Sequence, residues 1–407
     1  MGRGMEPGAQ QLEGRISEVF CAFLKLGLTA FGGPVAHLGY FRDELVTRRK
    51  WLNDEAYADL VALCQFLPGP ASSQVGFALG LARAGWGGAL AAFLAFTLPS
   101  ALILLLLAEL ALQGESVGLR MYGSGLLHGL KIVAVAIVAA AVWGMARSLC
   151  PDRERAGIAV GAVILLAIAP GAPGMMGSIL LGGLVGLRLG RGRVTSGGHL
   201  HMPVSRSAGL VALFIFAILL VSLPVWQGLG QGFALAGSFY RAGSLVFGGG
   251  HVVLPLLQEG TVTPGWVTQD VFLAGYGLAQ AVPGPLFTFA AWLGAMMHPE
   301  PNGIAGACLA LLALFLPGFL ILVGVLPFWS RLRRVVWAQS AMQGANAAVV
   351  GILGAALYTP VFTSAIGGMR DLALALACFV ALMMWKAPPW SVVLLGAFGG
   401  ILLQALA

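Results

Sequence analysis

The chain has 407 residues, of which 58% are hydrophobic and 10% charged, with a formal net charge of +7 at pH 7 and a mean hydropathy of +0.89. That balance excludes an ordinary water-soluble globular protein. The positive charge is scattered over short loops, which excludes a nucleic-acid patch, and five cysteines without a C-x-x-C pair give no disulfide framework.

The first 15 residues are polar and Gly-rich and show no cleavable signal, so the apolar run at 16–38 is expected to remain as a span. Further apolar segments of spanning length follow at 86–110, 121–147, 155–170, 173–189, 207–224, 230–250, 303–327, 335–360, 371–386 and 390–406. Two more, 55–83 and 267–298, are broken by Pro68-Gly69-Pro70 and Pro283-Gly284-Pro285. Counted as one crossing each, they give an all-α polytopic membrane protein of about thirteen crossings. Gly76–Gly80, Gly125–Gly129 and Gly182–Gly186 have the small-xxx-small spacing of closely packed membrane helices.

One motif set occurs twice, about 215 residues apart. Phe23, Gly27, Phe31, Gly32, Gly33, Trp51, Gln65 and Pro68-Gly69-Pro70 match Phe239, Gly243, Phe247, Gly248, Gly249, Trp266, Gln280 and Pro283-Gly284-Pro285. Gly85 and Gly303, Pro99 and Pro317, and Gly129 and Gly344 keep the order. The domains read as a first repeat at 16–189, a basic cytoplasmic linker at 190–206, an additional span at 207–229 and a second repeat at 230–407. Seven crossings between the repeat starts turn the second copy upside down, the design of secondary transporters that rock around a central site; broken segments that re-enter instead of crossing change that parity. A cytoplasmic N-terminus puts Arg3, Arg15, Arg83, Arg147, Arg153, Arg155, Arg188, Arg191, Arg193, Arg206, Arg331, Arg333, Arg334 and Lys386 inside, and Arg42, Arg48, Arg49, Lys50, Arg120 and Arg370 outside. The excess favours N-inside, against the Arg48-Arg49-Lys50 run.

Pro-Gly-Pro interrupts a helix, and in hydrocarbon the freed backbone groups have to face protein or a wet cavity. A break repeated in both halves points to a midplane site. Half-helices starting after Pro70 and Pro285 aim free amides and a positive dipole end at an anion, flanked by Gln65, Ser72, Ser73, Gln74, Gln280 and Thr288; a simple proline kink with hydroxyls bonded back to the helix is the alternative. Gly32 and Gly33 with Gly248 and Gly249 form a second pair of exposed-amide elements, or plain helix ends. Lys25 and Arg241 share one repeat position, and two intramembrane cations could neutralise a dianion; snorkelling, or pairing with an acid such as Glu18, is the competing expectation. Lys131 and His128 align with Asn346 and Gln343, so only one half is charged there, and His37 and His251 read as structural. Without a P-loop, HExxH or GxSxG motif the chain is not expected to be an enzyme of those types, and no cofactor or metal is implied.

The stretches FLKLGLTAFGGPVAHLGYFRDELVTRRKWL, LCQFLPGPASSQ and FTLPSALILL, with SLVFGGGHVVLPLL, GLAQAVPGPLFTFAAWLG and FLPGFLIL, resemble the long-form, two-domain chromate ion transporters of prokaryotes, the ChrA type of the CHR family. The resemblance spans nearly the whole chain outside the first 15 residues and the linker. It implies export of chromate across the cytoplasmic (inner) membrane and chromate resistance. A dianion leaving a negative interior moves downhill, so the membrane potential, a proton gradient or both are expected to drive it. Its alternative is a sulfate-type or broader oxyanion carrier. The implied partners are chromate or sulfate, the lipid bilayer and a second copy of the chain in a homodimer; a membrane-embedded enzyme or structural subunit is the reading from another class.

Overall fold

A computed structural model describes residues 14–31, 33–114, 120–190, 202–247, 250–332 and 335–405. Among the described residues the secondary structure is helical throughout. The first repeat contains α1 (Ile16–Thr29), α2 (Gly33–Phe41), a π-helical turn at Arg42–Arg48, α3 (Asp54–Phe66), α4 (Ala71–Gly114), α5 (Arg120–Leu149), α6 (Arg153–Ile168) and α7 (Ala172–Leu189). After α8 (Arg206–Trp226), the second repeat contains α9 (Gln231–Leu245), α10 (Val253–Thr261), α11 (Gln269–Ala281), α12 (Phe289–Met296) and α13 (Gly303–Val325). It ends with α14 (Trp329–Leu332), α15 (Val336–Ala356), α16 (Thr363–Ala365), α17 (Met369–Met383) and α18 (Pro389–Ala405). Six described stretches are both long and apolar enough to cross a membrane: Ala71–Leu112, Gly125–Leu149, Ala172–Leu189, Arg206–Leu229, Gly303–Leu332 and Val336–Ala365. The chain is thus a polytopic membrane protein.

Local chemistry sets the helix starts. The Asn53 side chain accepts from the amide of Ala56 at the start of α3, and Thr268 Oγ1 accepts from Val271 at the start of α11. These two caps occupy the same repeat position, two residues after Trp51 and Trp266, and satisfy amides that would otherwise be orphaned. Asp152 and Ser205 cap α6 and α8 in the same way. Within α4 the helix breaks at Ala84–Gly85, where Gly85 has φ +64.

The halves are interleaved. Ile321 and Leu322 at the end of α13, Leu326 in the 3-10 turn that follows and Trp329 in α14 complete the apolar core of α1–α3 and the first part of α4. Ala101, Leu104 and Ala108 of α4 enter the core built on the second repeat. Gly129 of α5 packs on Gly396 and Gly400 of α18, and its repeat mate Gly344 of α15 packs on Gly182 and Gly186 of α7. At both crossings an added Cβ would strike backbone of the opposite helix, so these glycines set how closely the helices approach.

Candidate functional site

Each Pro-Gly-Pro turn is held by the other half. In Pro68-Gly69-Pro70 only the glycine carries an amide hydrogen, and it donates to the carbonyl of Val246 at 2.8 Å; the amide of Gly284 donates to the carbonyl of Ala30 at 2.9 Å. Ala30 and Val246 both precede the Phe of the Gly runs, at the ends of α1 and α9. Gly69 and Gly284 have φ +119 and +113, a region open to glycine and strained for other residues. A Cβ on Gly69 would lie 2.9 Å from the Gly318 Cα and from Gln74 Nε2, and one on Gly284 would lie 2.7 Å from Ser100 Oγ. Ser100 and Gly318 directly follow the repeat-matched Pro99 and Pro317. Each turn therefore rests on the proline-bearing helix of the opposite half.

The Gly runs reach the same place. A Cβ on Gly250 would lie 3.3 Å from Pro34 Cγ, and one on Gly33 would lie 4.0 Å from His251 Nε2. Gly32, Gly248 and Gly249 lie outside the described residues.

Buried polar side chains line the first turn. Gln74 is fully buried, and its Nε2 donates to the carbonyls of Pro68 at 3.0 Å and Gly318 at 2.8 Å. Gln74 Oε1 and Ser73 Oγ are buried with no hydrogen-bond partner among the described residues, as is Thr97 Oγ1 on the part of α4 that meets the second turn. Ser72 Oγ lies 3.4 Å from Nδ1 of the fully buried His37, whose ring packs edge-on to Phe96. Unpaired buried polar atoms are costly unless water or another polar group meets them, and Ser73 and Gln74 both lie in the first turn of α4 after Pro70. The second turn is less open: Thr288 Oγ1 bonds back to the Pro285 carbonyl at 2.7 Å, as a plain proline kink would have it. Gln280 is half-buried, while Gln65 is exposed. His251 Nδ1 shares a 2.7 Å hydrogen bond with the hydroxyl of Tyr276.

The cations separate into different roles. Lys25 Nζ lies 2.8 Å from Glu44, which also holds Arg48 at 3.1 Å and Arg49 at 2.8 Å. Burial alone would raise the Glu44 carboxyl, but hydrogen bonds from Lys25 and Arg49 and the charges of Lys25 and Arg48 outweigh it and hold its pKa down at about 2. Arg241, at the equivalent position of α9, is half-buried with no ion-pair or hydrogen-bond partner among the described residues. Glu18, the expected alternative partner of Lys25, instead accepts from Trp51 Nε1 at 3.0 Å and pairs with Arg83 at 3.2 Å. Lys131 pairs with Asp270 and His128 with Asp371, each at 2.9 Å and each across the halves. A cleft of about 690 Å³ opens beside His128 and Asp371, lined also by Gly125, Arg370 and Gln404.

Sequence reasoning missed Ala30, Val246, Ser100 and Gly318 as partners of the turns. The signal was present, since each adjoins a repeat-matched residue. Glu44 was legible only as one acid in a charged loop.

The family model described as chromate transporter matches residues 17–187 and 233–401. The chain is 31% identical over 341 residues to a chromate transport protein of Pseudomonas aeruginosa, covering 83% of this chain and 79% of that protein. It is 26% identical over 406 residues to a probable chromate transport protein of Synechococcus elongatus, 93% of each, and 25% identical over 340 residues to a chromate transport protein of Cupriavidus metallidurans, 82% and 80%. No solved structure is matched.

Proposed function

Because the chain belongs to the chromate transporter family, we propose that it is a secondary transporter of chromate and that the dianion binds where the two Pro-Gly-Pro turns meet the two Gly runs. The reciprocal bonds Gly69–Val246 and Gly284–Ala30 are the observation that carries this reading, since they draw four repeated backbone elements from both halves to one place. The start of α4 after Pro70 offers a positive helix end to an oxyanion, with Ser72, Ser73 and Gln74 in its first turn. Of the two repeat-matched cations, Arg241 is the one with no acid paired to it among the described residues. Outward movement of a dianion is favoured by a negative-inside potential, at roughly 2.3 kcal/mol per charge per 100 mV, so the potential alone suffices as driving force for export.

The halves are read as inverted repeats. At one rim Glu18, Trp51 and Arg83 meet, with the Arg83 guanidinium 5.5 Å from the centre of the Trp51 ring and the Gly14 amide bonded to the Arg83 carbonyl. In the second half the amide of His298 bonds to Trp266, and Glu109, near the far end of α4, approaches Gly303. These contacts support hairpins in which α1 with α2, α3 with the start of α4, and their repeat mates dip to the centre and return rather than cross. Nine crossings then replace the thirteen expected from apolar segments. The number between the repeat starts stays odd, so this reading keeps inverted halves with the N-terminus inside and the C-terminus outside. Arg48, Arg49 and Lys50 move to the face of Arg15 and Arg83, which strengthens the positive-inside bias and leaves Arg120 and Arg370 outside.

Purified protein in proteoliposomes, given labelled chromate and an imposed potential, tests the function. Flux toward the positive side, inhibited weakly by sulfate, supports a chromate carrier; equal competition by sulfate supports a broader oxyanion carrier. No flux of either anion contradicts the proposal.

A further inference from the structure

Lys25, Arg48 and Arg49 converge on Glu44 from two elements, α1 and the π-helical turn with its end. The carboxylate is the floor of this group, its side chain 8% exposed, while Lys25 and Arg48 are 50% and 67% exposed. Three cations side by side repel one another unless something beneath holds them. Glu44 does so and leaves an excess of two positive charges. Donors that it does not engage, on the ammonium and the guanidinium forks, remain for another acceptor. Of the other charges nearby, Arg42 is paired with Asp54 at 2.8 Å and exposed Lys50 and Asp43 offset each other, while exposed Glu55 at the start of α3 takes one charge from the net of the segment, so the excess of two belongs to the group around Glu44 itself.

The group also has a place on the route. Lys25 stands five residues before Ala30, about 7.5 Å along the axis of α1 at 1.5 Å per residue, and Ala30 receives the amide of Gly284. In the other direction α1 leads to Glu18 and the rim contact with Trp51 and Arg83.

We propose that Glu44 with Lys25, Arg48 and Arg49 forms an approach site for a divalent oxyanion, which it gathers at the rim and passes to the central turns. The proposal rests on the transport reading above. The excess of two charges matches a dianion, so chromate or sulfate is favoured over a monovalent anion of similar size. Glu44 is a positioning residue, holding the three donors in a preformed group that an anion meets without reorganising them.

The test is the double variant Arg48→Gln/Arg49→Gln in proteoliposomes of zwitterionic lipid. At low ionic strength the KM for chromate is expected to rise tenfold or more with the maximal rate within about twofold. The difference is expected to shrink strongly in about 0.5 M salt, where screening acts within a few ångströms. Arg42→Gln/Asp54→Asn, which removes a neutral pair from the same segment, is expected to behave as the unaltered protein. An unchanged KM, or a loss indifferent to salt, overturns the proposal. So does a loss seen only when acidic lipid is included, which assigns the cations to a lipid headgroup. Calorimetric titration of the detergent-purified protein with chromate and with sulfate separates this from the transport reading: the double variant has to lose dianion affinity even if neither protein moves the anion, and equal affinities refute the approach site.

Discussion

The amide of Gly69 donates to the carbonyl of Val246 at 2.8 Å, tying the turn of the first repeat to the end of the second repeat's first helix. Gly284 and Ala30 make the mirror bond. A carbonyl at a helix end has no partner within its own helix, and the Pro-Gly-Pro glycine has no partner within its own turn; each half supplies what the other lacks. Neither half could keep this geometry alone.

Gly69→Ala and Gly284→Ala are both expected to reduce chromate flux tenfold or more with insertion retained, because positive φ costs a residue with a Cβ roughly 1–2 kcal/mol and the bonds are pushed apart. Gly69→Ala should be the worse, since its Cβ meets backbone at Gly318 whereas that of Gly284→Ala meets the rotatable Ser100 side chain. Ser100→Gly is expected to restore part of the flux to Gly284→Ala and none to Gly69→Ala, as read by initial rates in vesicles.

Arg241→Ala is expected to abolish most transport without lowering the amount of inserted protein, and Arg241→Lys to keep a fraction, because an ammonium keeps the charge without the planar fork. Lys25→Ala should be milder, as Arg48 and Arg49 still hold Glu44. Equal and complete loss in both alanine variants would restore the two cations as one joint site.

The titration of Glu44 has a defined sign. Its pKa of about 2 in the folded protein lies below the ordinary value of about 4.3. The stability it contributes is therefore complete above the ordinary value and lost only as pH falls toward 2. The difference in melting temperature between the unaltered protein and Glu44→Gln is expected to be constant from pH 5 to 8 and to narrow below about pH 4. A difference that changes between pH 6 and 8 would assign Glu44 a raised pKa.

Gly344→Leu forces a side chain into the backbone of Gly182 and Gly186. Overpacking of this kind costs typically 1–3 kcal/mol, and the melting temperature in detergent is expected to fall by several degrees. Gly354→Ala on the same helix meets nothing within 4 Å and should be silent.

Lys50→Cys, in a background lacking the five native cysteines, is expected to react with an impermeant thiol reagent from the same side as Arg15→Cys. Labelling from opposite sides would return 16–51 to a single crossing.

The repeat, the Pro-Gly-Pro turns and the Gly packing were legible because each rests on residues with few substitutes: proline removes a donor, and glycine alone allows positive φ or a helix contact without a Cβ. Whether 55–83 crosses or folds back was not, since two half-length helices around a turn have the same hydropathy as one broken span. The Lys25–Glu44 pair was hidden for another reason. It joins residues nineteen apart through a turn, and spacing along one helix pointed to Glu18 instead. Aligning Lys25 with Arg241 captured their repeat position and missed that only one has an acid beside it.

The most direct measurement is a crystal structure with chromate, in which chromium is located by its anomalous scattering. The expected result is a principal peak between the turns at Gly69 and Gly284, within hydrogen-bonding reach of the first turn of α4. A principal peak elsewhere, as in the cleft beside His128 and Asp371, with none at the turns, would contradict the account.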